Sequence, residues 1–175
     1  MAGSFKFCPE CATPLEFIAQ LEDGGARERL RCVNCAYTHW NNPTPVLAAV
    51  IEYQGQVLLA RNAAWPAKFF ALITGFMEAG ETPQQGIRRE ILEETNLATE
   101  ELKLIGVYDF QRMNQVIIAY HAVCTGEVRL SPELVDYKLM AHEDVVCWPA
   151  GTGYALAEWL TSRGYQPQFM ELPRR

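Results

Sequence analysis

Two groups of residues have the types and spacing of metal ligands. Cys8-Pro-Glu-Cys11 and Cys32-Val-Asn-Cys35 are two knuckles separated by 20 residues, the interval at which four thiolates close a tetrahedral structural Zn2+ site. Four sulfurs leave no open coordination position, so an ion held there folds the segment and does not catalyse. Reading the same cysteines as two buried or redox-active pairs does not explain two knuckles at this interval. Cys124 and Cys147 lack such partners and read as small core hydrophobes. The second group is Glu90, Glu93 and Glu94. At about 100° per residue these carboxylates share roughly a 100° arc of one helix, with Ile87 and Ile91 beside them. Like charges at i, i+3 and i+4 repel, so such a face is kept either because water solvates it or because cations neutralise it. Hard oxygen donors suit Mg2+ or Mn2+, which leave positions for phosphate and water. A bare Glu-x-x-Glu-Glu reads first as a solvated acidic face, and its surroundings must decide.

Those surroundings begin with elements able to hold the ligands. The stretch from residue 5 to 40 has few long apolar runs and needs a staple to fold. From Val46 the texture changes: Val46-Leu-Ala-Ala-Val-Ile-Glu-Tyr53 and Gln56-Val-Leu-Leu-Ala60 are β-leaning runs across Gln54-Gly55, which predicts a hairpin. Asn41-Asn42-Pro43-Thr44-Pro45 reads as the junction, so residues 1–40 and 41–175 are expected to be separate domains. A loop is expected through Trp65, Phe69 and Phe70 to Gly75, then a helix capped by Thr82, opened by Pro83 and stopped near Asn96. Strands are expected at Leu102 to Phe110, Gln115 to Thr125 and around Tyr137 to Ala141, before a closing helix from about Gly153 to Arg163, ended by Gly164. Alternating strands and helices without an internal repeat predict an α+β or α/β domain.

A chain of 175 residues, 49% hydrophobic, has material for one sizeable core and a small appendage. Its formal charge of −6 argues against an extended phosphate-binding surface, so nucleic acid is an unfavoured partner, although a local site for a small anion is compatible. The first residues lack the apolar run of a secretory signal, and no stretch reaches the length of a membrane span. The expectation is a cytoplasmic protein with no membrane partner, in which six cysteines do not form a disulfide framework.

The whole pattern Gly75-x5-Glu81-x7-Arg89-Glu90-Ile91-x-Glu93-Glu94-x-x-Leu97 resembles the Nudix box. One position departs from it: Asn96 stands where the family usually has Gly, and Asn is the other residue that readily takes the left-handed conformation. Gly86 stands where the family often has Ala. The resemblance implies a mixed-sheet α/β/α sandwich, an α+β fold, behind a small zinc ribbon. It implies that Glu90, Glu93, Glu94 and the Gly75 carbonyl hold catalytic Mg2+ or Mn2+, that one of Glu93 and Glu94 takes a proton from water, and that Glu81 pairs with Arg89 to brace the loop. Many relatives recruit a further acid after the box, for which Asp136 is the first candidate and Glu133 the second, each also readable as part of a solvated turn. Arg61 resembles a basic position near the phosphates. Trp65, Phe70, Phe76, Tyr108 and Phe110 are candidates to stack a base, although aromatics in a compact domain are more often core. His39, His121 and His142 show no ligand or triad spacing.

The implied reaction is metal-dependent hydrolysis of the diphosphate bridge of a nucleoside diphosphate linked to another group. A ribbon ahead of a Nudix domain is similar to NADH pyrophosphatases and to shorter enzymes acting on ADP-ribose or FAD. The former carry Ser-Gln-Pro-Trp-Pro-Phe-Pro after the box, where this chain reads Tyr108-Asp-Phe-Gln-Arg-Met-Asn-Gln-Val-Ile-Ile118. It also lacks their large N-terminal domain, so ADP-ribose or FAD is favoured. NADH hydrolysis, removal of NAD caps from RNA, and a non-catalytic nucleotide-binding regulator are the alternatives; a regulator is expected to have lost box carboxylates, and all are present. The resemblance also suggests a homodimer.

Overall fold

In the computed structural model, which describes residues 5–171, the chain divides between Pro43 and Thr44 into two units. The first is an antiparallel sheet of β1 (Leu15–Glu22), β2 (Gly25–Cys32) and β3 (Thr38–His39). Large apolar side chains do not close over it: Phe17 and Leu21 are exposed. Polar pairing and the cysteines take the place of a core. Arg29 donates through Nε and Nη2 to the Glu22 carboxylate at 2.8 Å each, and Arg31 Nη2 donates to it at 2.5 Å. With Arg29 the principal cause, the Glu22 carboxyl is held down to about 2. The buried Arg31 also donates to Thr38 Oγ1 at 2.8 Å, so the ladder reaches β3. The sequence reading did not place these strands, although Leu15, Phe17, Ala19 and Leu21 alternate along β1.

The second unit is organised by β4 (Thr44–Tyr53). Its Val46–Ile51 run is buried throughout because neighbouring residues point to opposite faces and both faces are covered. β5 (Gln56–Asn62) returns antiparallel through Gln54 and Gly55, whose φ values of 53° and 72° are those of a type I′ turn. β6 (Ile73–Phe76) also pairs antiparallel with β4. This corrects the expectation of loop up to Gly75: β5 departs from β4 beyond Ile51, leaving the Val46–Ala49 edge for β6 to occupy. α1 (Pro83–Thr95) follows, then β7 (Ala98–Phe110), β8 (Gln115–Thr125), β9 (Leu134–Met140), β10 (Val146–Cys147), α2 (Thr152–Ser162) and β11 (Gln168–Phe169). The main sheet runs β7-β8-β4-β5-β9 with β6 attached to β4; β4 and β8 are parallel and the other pairs antiparallel.

Ile87 and Ile91 of α1 pack with Leu47, Ile51, Leu58 and Ile73 on one face. On the other, Leu156, Trp159 and Leu160 of α2 pack with Val50, Val57 and Leu59. The result is the α/β/α sandwich with a mixed sheet that the box implied. α1 begins where its caps dictate: Thr82 accepts from Gln85 N while the Gln85 side chain accepts from Thr82 N, a capping box. Asn96 ends it at φ 61°. α2 approaches the loop before it so closely that a Cβ on Gly153 would lie 1.9 Å from the Trp148 carbonyl oxygen. Its end is tied to the sheet through Glu52, which lies 2.9 Å from His121 Nε2 and accepts from Arg163 Nη2 at 2.9 Å. Among the described residues no helix is long and apolar enough to cross a membrane.

Candidate active site and zinc site

The four cysteine sulfurs of the first unit lie within 4.8 Å of one another. Cys8 to Cys35, Cys11 to Cys32 and Cys11 to Cys35 are each 3.5 Å. Tetrahedral Zn–S bonds of about 2.3 Å separate sulfurs by roughly 3.8 Å, so the cluster is the size a zinc ion needs. Both knuckles end alike: Ala12 and Ala36, each following the second cysteine of its pair, have φ of 58° and 61°. Both are in a conformation that alanine disfavours.

In the second unit, the loop after β6 is fixed to α1 by Arg89. Its Nη2 and Nε donate to the two Glu81 oxygens at 2.9 and 3.1 Å, its Nη1 donates to Glu90 at 2.8 Å and Glu93 at 3.1 Å, and Nη2 also reaches the Phe76 carbonyl at 3.2 Å. Glu81 in turn accepts from Glu78 N at 2.7 Å. Gly75 faces Glu90 so closely that a Cβ would lie 1.9 Å from the Glu90 carboxyl carbon. One turn further, Glu94 is pushed up to about 7, first by burial and then by the charges of Glu90, Glu133 and Glu93. Carboxylates gathered in partial burial, with a backbone carbonyl strand beside them, are a donor set suited to a hard divalent cation.

Beside Glu94 is a cavity of about 90 Å3 lined by Ala60, Asn62, Trp65, Thr74 and Glu133, among others. Ala60 and Asn62 of β5 and Ile73 and Thr74 of β6 are among its walls. A chamber of about 510 Å3 shares Trp65, Leu72 and Thr74 with it and is walled by Phe69, Phe110 and Trp148.

The sequence candidates are thus distributed unevenly. Glu81, Glu90, Glu93 and Glu94 gather around Arg89 and Gly75, and Glu133 joins Glu94. Asp136, the first choice for the extra acid, does not line the cavity beside Glu94. It stands opposite Arg61 in the β5–β9 ladder, across a bulge between Arg61 and Asn62, and two residues from Lys138, whose ammonium lies 4.2 Å from the Phe70 ring centre in the core beneath α2. Arg61 shares that orientation, and its Nε is buried without a hydrogen-bond partner. Trp65 lines both cavities and Phe110 the chamber, whereas Phe70 belongs to the α2-side core. Phe76 is exposed, and the Tyr108 hydroxyl donates to Glu158 at 2.7 Å, tying β7 to α2. Sequence reasoning assigned no role to Asn62, Phe69, Thr74, Arg112 or Trp148; Phe69, Thr74 and Arg112 sit in stretches already singled out, and nothing in their spacing marks Asn62 or Trp148.

A three-layer sandwich carrying a carboxylate-rich helix against a glycine-containing strand, with a four-cysteine ribbon ahead of it, defines a class. The NUDIX domain family matches residues 42–160, and the family described as Nudix N-terminal, a zinc ribbon, matches residues 6–41. The chain belongs to the Nudix family of hydrolases. The NAD-capped RNA hydrolase NudC of Vibrio cholerae is 27% identical over 130 residues, covering 74% of this chain and 46% of that protein. The chain spans about half the length of the curated relatives it matches first. The crystal structure of a NUDIX hydrolase from Nitrosomonas europaea superposes with a TM-score of 0.76 at 28% identity, covering 95% of this chain and 97% of that one. An ADP-ribose pyrophosphatase from Streptococcus suis shares the fold, with a TM-score of 0.59 at 17% identity, covering 74% of this chain and 100% of that one.

Proposed function

We propose that the protein hydrolyses the diphosphate bridge of a nucleoside diphosphate linked to a further group, releasing a nucleoside monophosphate. The observation that carries this reading is the gathering of Glu90, Glu133 and Glu93 about Glu94, with Glu94 and Glu133 lining a cavity that shares Trp65, Leu72 and Thr74 with a larger aromatic-walled chamber. Glu90, Glu93, Glu94 and the Gly75 carbonyl would hold Mg2+ or Mn2+, which when bound neutralises the bridge and acidifies water. One of Glu93 and Glu94 would also accept the proton of the attacking water. Glu133 replaces Asp136 as the further acid, because its charge is felt at Glu94 and it lines the same cavity. Arg89 orients Glu90 and Glu93 while bracing Glu81. Cys8, Cys11, Cys32 and Cys35 would hold a structural Zn2+.

The favoured substrates are ADP-ribose or FAD, with NADH or the NAD cap of RNA as the second reading, which the NudC relatives favour. A net charge of −6 weighs against long RNA as partner. Domains of 1–40 and 41–175, a homodimer and a reducing, cytoplasmic setting for the free thiols complete the proposal. Incubation with ADP-ribose, FAD, NADH and NAD-capped RNA, each with Mg2+ or Mn2+, tests it: AMP should appear from at least one of the first three. Failure on all four with either metal would remove the hydrolase reading, and turnover of capped RNA alone would select the second.

A further inference from the structure

An α-helix leaves the carbonyls of its last turn without partners inside the helix. At the end of α1 the segment 126–133, between β8 and β9, takes two of them up: Arg129 N donates to the Thr95 carbonyl at 2.9 Å and Ser131 N to the Glu94 carbonyl at 3.0 Å. Gly126, at φ 115°, turns the chain out of β8, and the Tyr53 hydroxyl at the end of β4 donates to its carbonyl at 2.8 Å. Val128 and Leu130, on either side of Arg129, pack against the core beneath α1. Beyond Ser131 the chain turns on the bond from Leu134 N to the Ser131 carbonyl at 3.1 Å, and Ala63 N, just past β5, donates to the Glu133 carbonyl at 3.0 Å. Glu133 therefore stands on backbone held on one side by the carbonyl of Glu94, with which it lines a cavity, and on the other by the chain leaving β5. A side chain joins this strap at its start: Asn96 Nδ2 donates to the Glu127 carbonyl at 3.0 Å. Asn96 is the position at which the chain departs from the box. Glycine meets its φ of 61° with less strain but has no amide to offer, so the turn alone does not call for asparagine, whereas the bond to the strap does.

We infer that Asn96 is a positioning residue for Glu133: its amide fixes the start of the 126–133 strap in register with the carbonyls of Thr95 and Glu94, and the strap fixes Glu133 beside Glu94. The inference rests on the proposed function for the part Glu133 plays in turnover. Gly126 and Glu127 are exposed, so without the Asn96 bond this end of the strap is the least held, and Glu133 gains freedom at the far end. A displacement of about 1 Å in a site that must align reacting groups is enough to cost up to about a hundredfold in rate.

Hydrogen exchange in the full chain without added divalent cation reads the strap, and a double-mutant cycle reads its effect on turnover. In Asn96→Gly, which keeps the left-handed turn, the Arg129 and Ser131 amides should exchange tenfold or more faster while amides inside α1 keep their rates. Asn96→Asp, whose carboxylate has no donor for a carbonyl, should do the same. In turnover Asn96→Gly should lower kcat about tenfold with KM within twofold. Added to Glu133→Gln it should lower kcat less than twofold further, because a residue that acts through Glu133 then has nothing left to position. Unaltered exchange in both variants would overturn the strap. An unaltered kcat in Asn96→Gly, or additive losses in the double variant, would overturn the positioning role. If the wild-type chain hydrolysed nothing while the exchange result held, the hydrolase reading would fall and the hold of Asn96 on the strap would stand.

Discussion

Replacing Gly75 with alanine should disable the acidic site without unfolding the protein. A Cβ at that position lies 1.9 Å from the Glu90 carboxyl carbon and 2.1 and 2.3 Å from its oxygens, against about 3.4 Å for ordinary contact. The carboxylate must therefore retreat by between 1.1 and 1.5 Å, the differences between 3.4 Å and the longest and shortest of those distances. Coordination to Mg2+ tolerates displacements of only about 0.2 Å around a 2.0–2.1 Å bond, so Glu90 ceases to be a ligand in the native arrangement. Losing one charged ligand should cost on the order of 3 kcal/mol of transition-state stabilisation, about a hundredfold in kcat. The clash falls on the end of a flexible side chain and not on backbone, so stability should change by less than about 1 kcal/mol. Turnover measured across a Mg2+ or Mn2+ titration, alongside thermal unfolding, reads both quantities. Near wild-type turnover with an unchanged metal midpoint would refute the placement of Glu90 in the metal shell, and a large drop in Tm would refute the claim that the effect is local.

Other substitutions probe other parts of the account. Gly153→Ala should destabilise the second unit by more than about 2 kcal/mol, because its Cβ would lie 1.9 Å from a backbone oxygen that cannot swing away; denaturant unfolding decides. Burial, and then the charges of Glu90, Glu133 and Glu93, push the Glu94 carboxyl up from the ordinary 4.5 to about 7, so the metal-free protein should lose stability as pH rises from about 4.5 through 7. Glu94→Gln should remove that slope, gaining on the order of 1 kcal/mol over wild type at pH 8 after allowance for solvent screening, and none at pH 4.5. Ala36→Gly should stabilise the zinc unit by up to about 1 kcal/mol, since φ at this position is 61°, read as greater resistance of bound zinc to chelators. Protein prepared without chelator should contain one zinc per chain by elemental analysis, and Cys8→Ser with Cys32→Ser should abolish it.

What was legible in the sequence had local causes. The Thr82 and Gln85 capping box, Pro83 and Asn96 bound α1 within a residue of the expected limits, because caps act through backbone groups a few positions away. Gln54-Gly55 announced the β4–β5 hairpin for the same reason. The strand β6 was hidden because a four-residue segment is stabilised by the edge it joins and not by its own composition. Glu133 stands just before β9 and Asp136 within it, opposite Arg61, and nothing in their linear spacing records which of the two comes near Glu94. Residues of the chamber come from β4, the long loop after β5, β6, the turn before β8 and the start of α2, and no linear spacing records that convergence.

The central claim, that the carboxylate group directs water onto a phosphorus of the diphosphate bridge, is tested most directly by hydrolysis of ADP-ribose or FAD in 18O-labelled water, followed by mass spectrometry of the products. The account predicts one labelled oxygen in the phosphate of a monophosphate product, dependent on added divalent cation and abolished by Glu93→Gln or Glu94→Gln. Release of free adenine, or of inorganic phosphate as the first product, would contradict it.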